Sequence, residues 1–302
     1  MRYLKSFSFL SKADEEDFFL ALKRTCYQTA YPFAIFPEKG LKKLEFEPVT
    51  ILCGGNGSGK TTALNIIAES IGAKRVSPYN KSAFFAEYVA GCKPEFEPRA
   101  LADCEGGFNK EIITSDDVFD FIFNIRSLND GIDIRREELF TEWLRERAPD
   151  AKQVKLSSMD DYEKLVQQNK RRRMTQSRYV RTSLVGNVRA HSNGESALLY
   201  FTDKIGENSL YLVDEPENSL SAESQQKLAE YIENAARFFN CQFIISSHSP
   251  YMLSLKGARL YDLDLSPVST VRWTDIANVR ALYSFFIKHK NEFEWGGDLR
   301  KH

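Results

Sequence analysis

The stretch Val49–Gly72, VTILCGGNGSGKTTALNIIAESIG, decides the fold. Its first five residues form a short, unbroken apolar run, the pattern of a strand buried on both faces of a parallel sheet. Pro48 separates it from a second extended run at 41–47. Residues 60–71 place Leu64, Ile67, Ala68 and Ile71 on one helical face, and Gly72 supplies a stop. Between strand and helix, GGNGSGKT at 54–61 fits G-x-x-x-x-G-K-[ST]. In such a loop Gly54, Gly55, Gly57 and Gly59, with Asn56, Ser58 and Thr62, form a cradle of backbone N–H groups around phosphate oxygens. Lys60 reaches the β- and γ-phosphates, and Thr61 holds Mg²⁺. The strand before and the helix after separate this motif from a chance glycine-rich turn.

Two strand–helix units follow near the C-terminus. NSLYLV at 208–213 and CQFIIS at 241–246 read as strands, with a helix at 221–237 between them. Strands alternating with helices imply a parallel sheet with right-handed crossovers. LYLVDEPE, Leu210–Glu217, ends its strand in two carboxylates, where ligands of open α/β sheets sit. Asp214 suits Mg²⁺, and Glu215 suits orienting or deprotonating an attacking water. FIISSHSP places His248 just past the other strand, within reach of a γ-phosphate. HSNGESALLYF, from His191, opens a helix pattern with Ser192, Asn193, Gly194 and Glu195, a start built to receive an anion.

The rest of the chain bounds the answer. Its 302 residues are 42% hydrophobic, enough for one large domain or a core with an inserted lobe. A net charge of −1 excludes a global field that recruits nucleic acid or membrane. Five scattered cysteines show no zinc spacing and predict reduced thiols in a cytoplasm. No apolar run reaches the roughly 18 residues of a membrane span. SKADEEDFFLALKRTC at 11–26 reads as a capped amphipathic helix, so 1–28 reads as a helical extension whose Phe18, Phe19 and Leu22 dock a partner or, the commoner fate of such a stripe, pack on their own domain. Residues 74–190 read as an inserted lobe with helices at 115–126 and 136–147. A strand pair around 258–273 and a helix near 274–289 close the chain. Phe33 and Phe36, ahead of the glycine loop, are core residues or stack on a base.

The order GGNGSGKTT, SNGES, LYLVDEPENSLS, IISSHSP resembles the ABC-type ATPase superfamily, nearer its RecF and SMC branch than the transporters. The motifs look most like those of small bacterial predicted ATPases of the AAA_21 type, over roughly 30–73 and 188–295. The resemblance implies one ABC-type ATPase domain over 1–302: a P-loop NTPase with a parallel α/β core, an antiparallel β lobe and an inserted helical lobe. It implies Mg²⁺-dependent ATP hydrolysis in a homodimer with two sandwiched nucleotides. Ser192, Gly194 and Glu195 then resemble the signature motif, which meets the nucleotide held by the partner's Lys60, with the helix starting at Ser196. Asn218–Leu220 resembles the D-loop. The family's Gln between the two motifs is missing, since no Gln occurs from 29 to 152. Asp116, at the start of SDDVFDFIF, best resembles a substitute at the metal; its other reading is a helix cap.

Three outputs fit such a switch. The first is control of a separate effector, a nuclease or toxin in bacterial defence, as small ATPases of this type occur beside such partners. The second is a DNA-repair clamp, for which the run Lys170, Arg171, Arg172, Arg173 with Arg178 and Arg181 speaks. A solvated basic face is the plainer reading of that run. The third is a transporter's nucleotide-binding subunit, disfavoured by Glu195 in place of Gln.

Overall fold

The computed structural model describes residues 1–22, 26–27, 29–98, 100, 108–147, 174–184 and 193–295. The chain forms two compact units, Met1–Phe119 with Asn193–His302, and Asp120–Ser192. In chain order the first unit holds β1 (Leu4–Ser8), α1 (Lys12–Ala21), α2 (Ile35–Glu38), β2 (Lys43–Glu45), β3 (Val49–Cys53), α3 (Lys60–Ile71), α4 (Phe85–Gly91), β4 (Lys93–Phe96) and β5 (Asn109–Thr114). α5 (Ser115–Arg147) begins there and continues in the second unit, which also holds α6 (Gln176–Ser183). The first unit resumes with α7 (Asn193–Lys204), β6 (Ser209–Asp214), α8 (Ala222–Phe238), β7 (Gln242–Ser246), α9 (Pro250–Leu253), β8 (Arg259–Asp262), β9 (Ser269–Thr270), α10 (Ala277–Lys288) and α11 (Lys290–Trp295).

The main sheet runs β5-β6-β7-β3-β8-β9, parallel except for β9. β3 and β7 are buried at every residue, as their apolar sequences require of strands covered on both faces. α3 lays Ala63, Leu64, Ile66, Ile67, Ala68 and Ile71 into the core. Each large side chain among them contributes about 1.5–3 kcal/mol of burial. Gly72 ends the helix at φ 64°, its N–H donating to the Ala68 and Glu69 carbonyls. The strand ends are aligned: Asp214 lies opposite Ser246, Ser246 opposite Leu52, and Cys53 opposite Asp262. The loops after β3, β6 and β7 therefore open on one edge.

A second, antiparallel sheet runs β2-β1-β4. It corrects the reading of 1–28 as a helical extension, because the chain starts with the central strand of this lobe. A distant side chain ties this strand to the main sheet. Gln242, fully buried on β7, accepts the Tyr3 and Leu4 N–H groups at 2.8 Å each and donates to the Leu4 carbonyl at 2.8 Å. α1 is shorter than 11–26. A Ser11–Asp14 capping box starts it, and Leu22 is already extended. Lys23 and Arg24 lie outside the described residues. Phe18 stacks on Phe33 at 4.6 Å, so the helix packs on its own domain.

The insertion is also narrower than 74–190: β4 and β5 belong to the sheets of the first unit, and the second begins at Asp120. The two helices expected at 115–126 and 136–147 are one 33-residue helix. Gly131 interrupts neither its bonds nor its packing, at a cost of about 1 kcal/mol. The second unit's core joins Leu139, Tyr179 and Val180, flanked by Phe140, Trp143 and Met174. Lys170, Arg171, Arg172 and Arg173 lie outside the described residues, while Arg178 and Arg181 are exposed on α6.

Replacing Gln242 by Leu should strand two buried backbone N–H groups at about 1–3 kcal/mol each, so urea unfolding should show a loss of about 2–6 kcal/mol. A loss below about 1 kcal/mol would mean that the two sheets do not depend on this side chain.

Candidate nucleotide-binding site

The loop from β3 to α3 turns through Gly54 at φ 140° and Gly59 at φ 95°. A Cβ on Gly54 would meet Ser58 Oγ at 2.8 Å, and one on Gly59 would meet Ile35 Cγ2 at 3.3 Å. Side chains are therefore excluded from both conformation and space. No side chain caps α3, so its first N–H groups remain for an anion. Lys60 is buried and donates to the Gly54 and Gly55 carbonyls at 3.0 Å each. Burial pushes its ammonium pKa down, against the pull of Glu215 and Asp214. Ser58 Oγ is buried without a partner. A polyphosphate fits this cradle: N–H groups, an ammonium and an orphaned hydroxyl converge on it.

The two carboxylates expected at the end of β6 face that loop. Thr61 Oγ1 donates to Asp214 Oδ1 at 3.1 Å, and Ser246 Oγ donates to the same oxygen. Burial pushes the Asp214 carboxyl above its ordinary value, while the two hydroxyls pull it down. Thr61 and Asp214 thus form the hard-oxygen pair that a Mg²⁺ ion uses. Glu215 occupies the left-handed region at φ 46°, unusual for a residue with a Cβ. Its Oε1 lies 3.9 Å from Lys60 Nζ and 3.5 Å from His248 Nε2. Asn218 Nδ2 donates to its other oxygen at 2.9 Å.

Asp116 is exposed and lines a cleft of about 610 Å³ with Thr61, Thr62, Asp214, Arg75, Tyr31 and Tyr79. The capping role falls to its neighbour. Buried Asp117 accepts from Thr114 N at 2.7 Å and Ser77 N at 2.9 Å. Phe33 and Phe36 are core residues, Phe36 stacking on Phe9 at 4.3 Å. The aromatic groups in the cleft are Tyr79 and Tyr31, whose hydroxyl donates to Thr62 Oγ1 at 3.1 Å.

The signature stretch differs in its start. α7 begins at Asn193 rather than Ser196, so Gly194 and Glu195 lie in its first turn. Ser192 lies outside the described residues. Gly194 rests against the start of α8, where an added Cβ would stand 3.5 Å from Ser221 N.

Sequence reasoning missed several neighbours of the site. Asp264, after β8, accepts the Gly55 N–H at 2.6 Å and braces the glycine loop. Arg75 bonds Asn65 and lies 4.1 Å over the Tyr79 ring in the cleft. Glu217 and Gln225 hold the loop that carries His248. Only Glu217 carried a signal, as the last acid of DEPE; the others are single residues with no motif around them.

Residues 188–253 match the family model of the AAA ATPase domain, AAA_15. No curated protein matches the chain. Among solved structures, the chain is similar to an SMC head domain bound to the C-terminal domain of ScpA from Pyrococcus furiosus. That match has 14% identity and a TM-score of 0.42, over 94% of this chain and 100% of the other. The SMC head domain from Thermotoga maritima gives 15% and 0.39, over 90% and 99%. A putative metal-chelate type ABC transporter in an inward-facing conformation gives 17% and 0.37, over 94% and 90%. The family match covers α7 to α9, and the glycine loop lies between β3 and α3 of the same unit. The chain is a P-loop ATP hydrolase whose cofactors are ATP and Mg²⁺.

The raised Asp214 carboxyl gives a signed prediction. A carboxyl whose folded pKa exceeds its unfolded value binds its proton more tightly when folded, so its share of stability is lost as pH rises through that window. Asp214→Asn should therefore raise the thermal midpoint of the nucleotide-free protein at pH 7 while abolishing Mg²⁺-dependent turnover. A lowered midpoint would show that the buried charge is not a burden.

Proposed function

We propose that this chain is an ATP-driven molecular switch of the ABC type, near the AAA_21 group in motif order, acting as a homodimer that sandwiches two nucleotides. The observation that carries the reading is the convergence of Lys60, Thr61, Asp214, Glu215 and His248 at the aligned ends of β3, β6 and β7. Gly54, Gly55, Asn56, Gly57, Ser58, Gly59 and Thr62 wrap the phosphates, and Lys60 neutralises them. Thr61 and Asp214 hold Mg²⁺, with Asp116 facing it across the cleft. The bound ion supplies charge that stabilises the transferring phosphoryl group. Glu215 orients and deprotonates the attacking water, and His248 contacts the γ-phosphate. The cleft beside Thr62, with Tyr31, receives the nucleoside.

Ser192, Gly194 and Glu195 at the α7 start serve the nucleotide of the partner chain, which their own glycine loop does not need. Closure then depends on the γ-phosphate, and hydrolysis releases it, so the nucleotide biases a two-state equilibrium. The output is a separate effector protein, a nuclease or a toxin, a reading supported by the motif resemblance. Copurification from the native host tests it: a soluble effector is expected, and a membrane permease would overturn it. Direct binding of nucleic acid through Lys170–Arg173 is the second reading, supported by six cations in thirteen residues with Arg178 and Arg181.

Glu215→Gln should keep ATP binding and lower turnover by about a hundredfold, the scale of base removal. Wild-type turnover in that variant removes Glu215 from the chemistry. Lys60→Ala and Ser192→Arg chains should each be inactive alone and regain part of their activity when mixed, because one composite site then keeps both residues. Heterodimers that form without regaining activity would rule out the shared site.

A further inference from the structure

Glu217 has no part in the chemistry assigned above, yet it is the acceptor for three successive residues of the loop after β7. One carboxylate oxygen, Oε1, accepts Ser247 Oγ at 2.9 Å, the His248 N–H, and the Ser249 N–H at 3.1 Å. Two consecutive backbone N–H groups and a hydroxyl make a small anion-receiving concavity. Here the chain fills it with its own carboxylate. A second tie runs beside the first. Gln225, on α8, accepts Ser249 Oγ at 2.7 Å and donates to the Leu220 carbonyl at 3.0 Å. The turn at 216–220 is thus bonded to the His248 loop twice. It is also bonded to Glu215, through Asn218.

We propose that Glu217 is a positioning residue, a latch that fixes the His248 loop to the 216–220 turn and so holds the His248 imidazole beside the Glu215 carboxylate. This rests on the ATPase reading above. The 3.5 Å between His248 Nε2 and Glu215 Oε1 joins two loops after different strands, which also meet where the Glu215 N–H donates to the Ser246 carbonyl at 3.1 Å. The carboxylate sets the backbone at 247–249, and that backbone aims the ring. An aliphatic residue at 217 would leave the His248 N–H without its acceptor and the Ser249 N–H with Ser247 Oγ alone, at 3.0 Å. The loop would then be free to move, and a misplacement of about 1 Å costs on the order of a hundredfold in rate. The latch also links the site to the D-loop-like turn, so whatever shifts residues 218–220 shifts His248 with them.

The test compares wild type, Glu217→Ala, Glu217→Gln and Gln225→Leu. The first readout needs no nucleotide: amide hydrogen exchange at His248 and Ser249 should quicken by about tenfold or more in Glu217→Ala. Turnover should fall about 30- to 100-fold in that variant. Affinity for the non-hydrolysable analogue AMP-PNP should stay within about threefold, the split expected when an interaction serves only the chemical step. Glu217→Gln, which keeps an acceptor oxygen, should fall between wild type and Glu217→Ala. Gln225→Leu should quicken exchange at Ser249. If Glu217→Ala does not fold, the Gln and Leu variants carry the same comparison. Unchanged exchange, or turnover within about threefold of wild type, would overturn the latch. Equal losses of AMP-PNP affinity and turnover would also overturn it, because they mark a merely structural residue. Wild type and Lys60→Ala run alongside: equal turnover in those two defeats the ATPase reading, while the exchange result stands on its own.

Discussion

Asp214 ends β6 with two hydroxyls on one oxygen, Thr61 from the start of α3 and Ser246 from the end of β7. Three separate elements, β6, α3 and β7, meet at this carboxylate. Their meeting requires the register that sets Asp214 opposite Ser246 and Ser246 opposite Leu52. A slip of one residue would turn every side chain of a strand to the other face. The apolar runs of β3, β6 and β7, buried almost throughout, forbid that slip. The chemistry is therefore anchored by hydrophobic packing several residues away. Burial also makes the carboxylate costly without a cation, and a divalent ion at Thr61 and Asp214 would offset that cost.

The glycine loop is shaped from its other side by the N-terminal lobe. Buried Glu15, on α1, accepts the Ala34 N–H at 2.8 Å, and Ala34 holds a left-handed backbone at φ 69°. Ile35 and Phe36 follow and close on Gly59, leaving no room for a side chain there. Burial raises the Glu15 pKa, while the Ala34 N–H stabilises its charged form. The first strand and helix thus take part in forming the loop, although no motif marks them.

Much of this arrangement was legible in the sequence, for identifiable reasons. Glycines that must adopt positive φ, apolar runs of strand length and a helical stripe from Leu64 to Ile71 are local signals. The ends of β6 and β7 were placed by the same logic, which brought Asp214, Glu215 and His248 together. What escaped depends on partners far along the chain. Tyr3 and Gln242 are 239 positions apart, so nothing near Tyr3 announces a central strand. Asp264 reaches Gly55 across 209 positions. The long helix from Ser115 was read only as two pieces, 115–126 and 136–147, where the helix continues through Gly131.

The acid at the signature stretch has its own electrostatic logic. The starts of α7 and α8 lie side by side, Gly194 allowing the approach to Ser221 and Ser224. Two helix N-termini together concentrate positive potential, which suits an anion. Ser221 caps α8 through the Ser224 N–H. Glu195 would repel a phosphate at that end if its charge went unanswered. Glu223 is the main cause that raises the Lys227 pKa, pairing with it at 2.6 Å one turn into α8, and the charge of Glu195 adds to it. The same adjacency sets the α7 start against α8, whose Gln225 bonds Ser249 of the His248 loop.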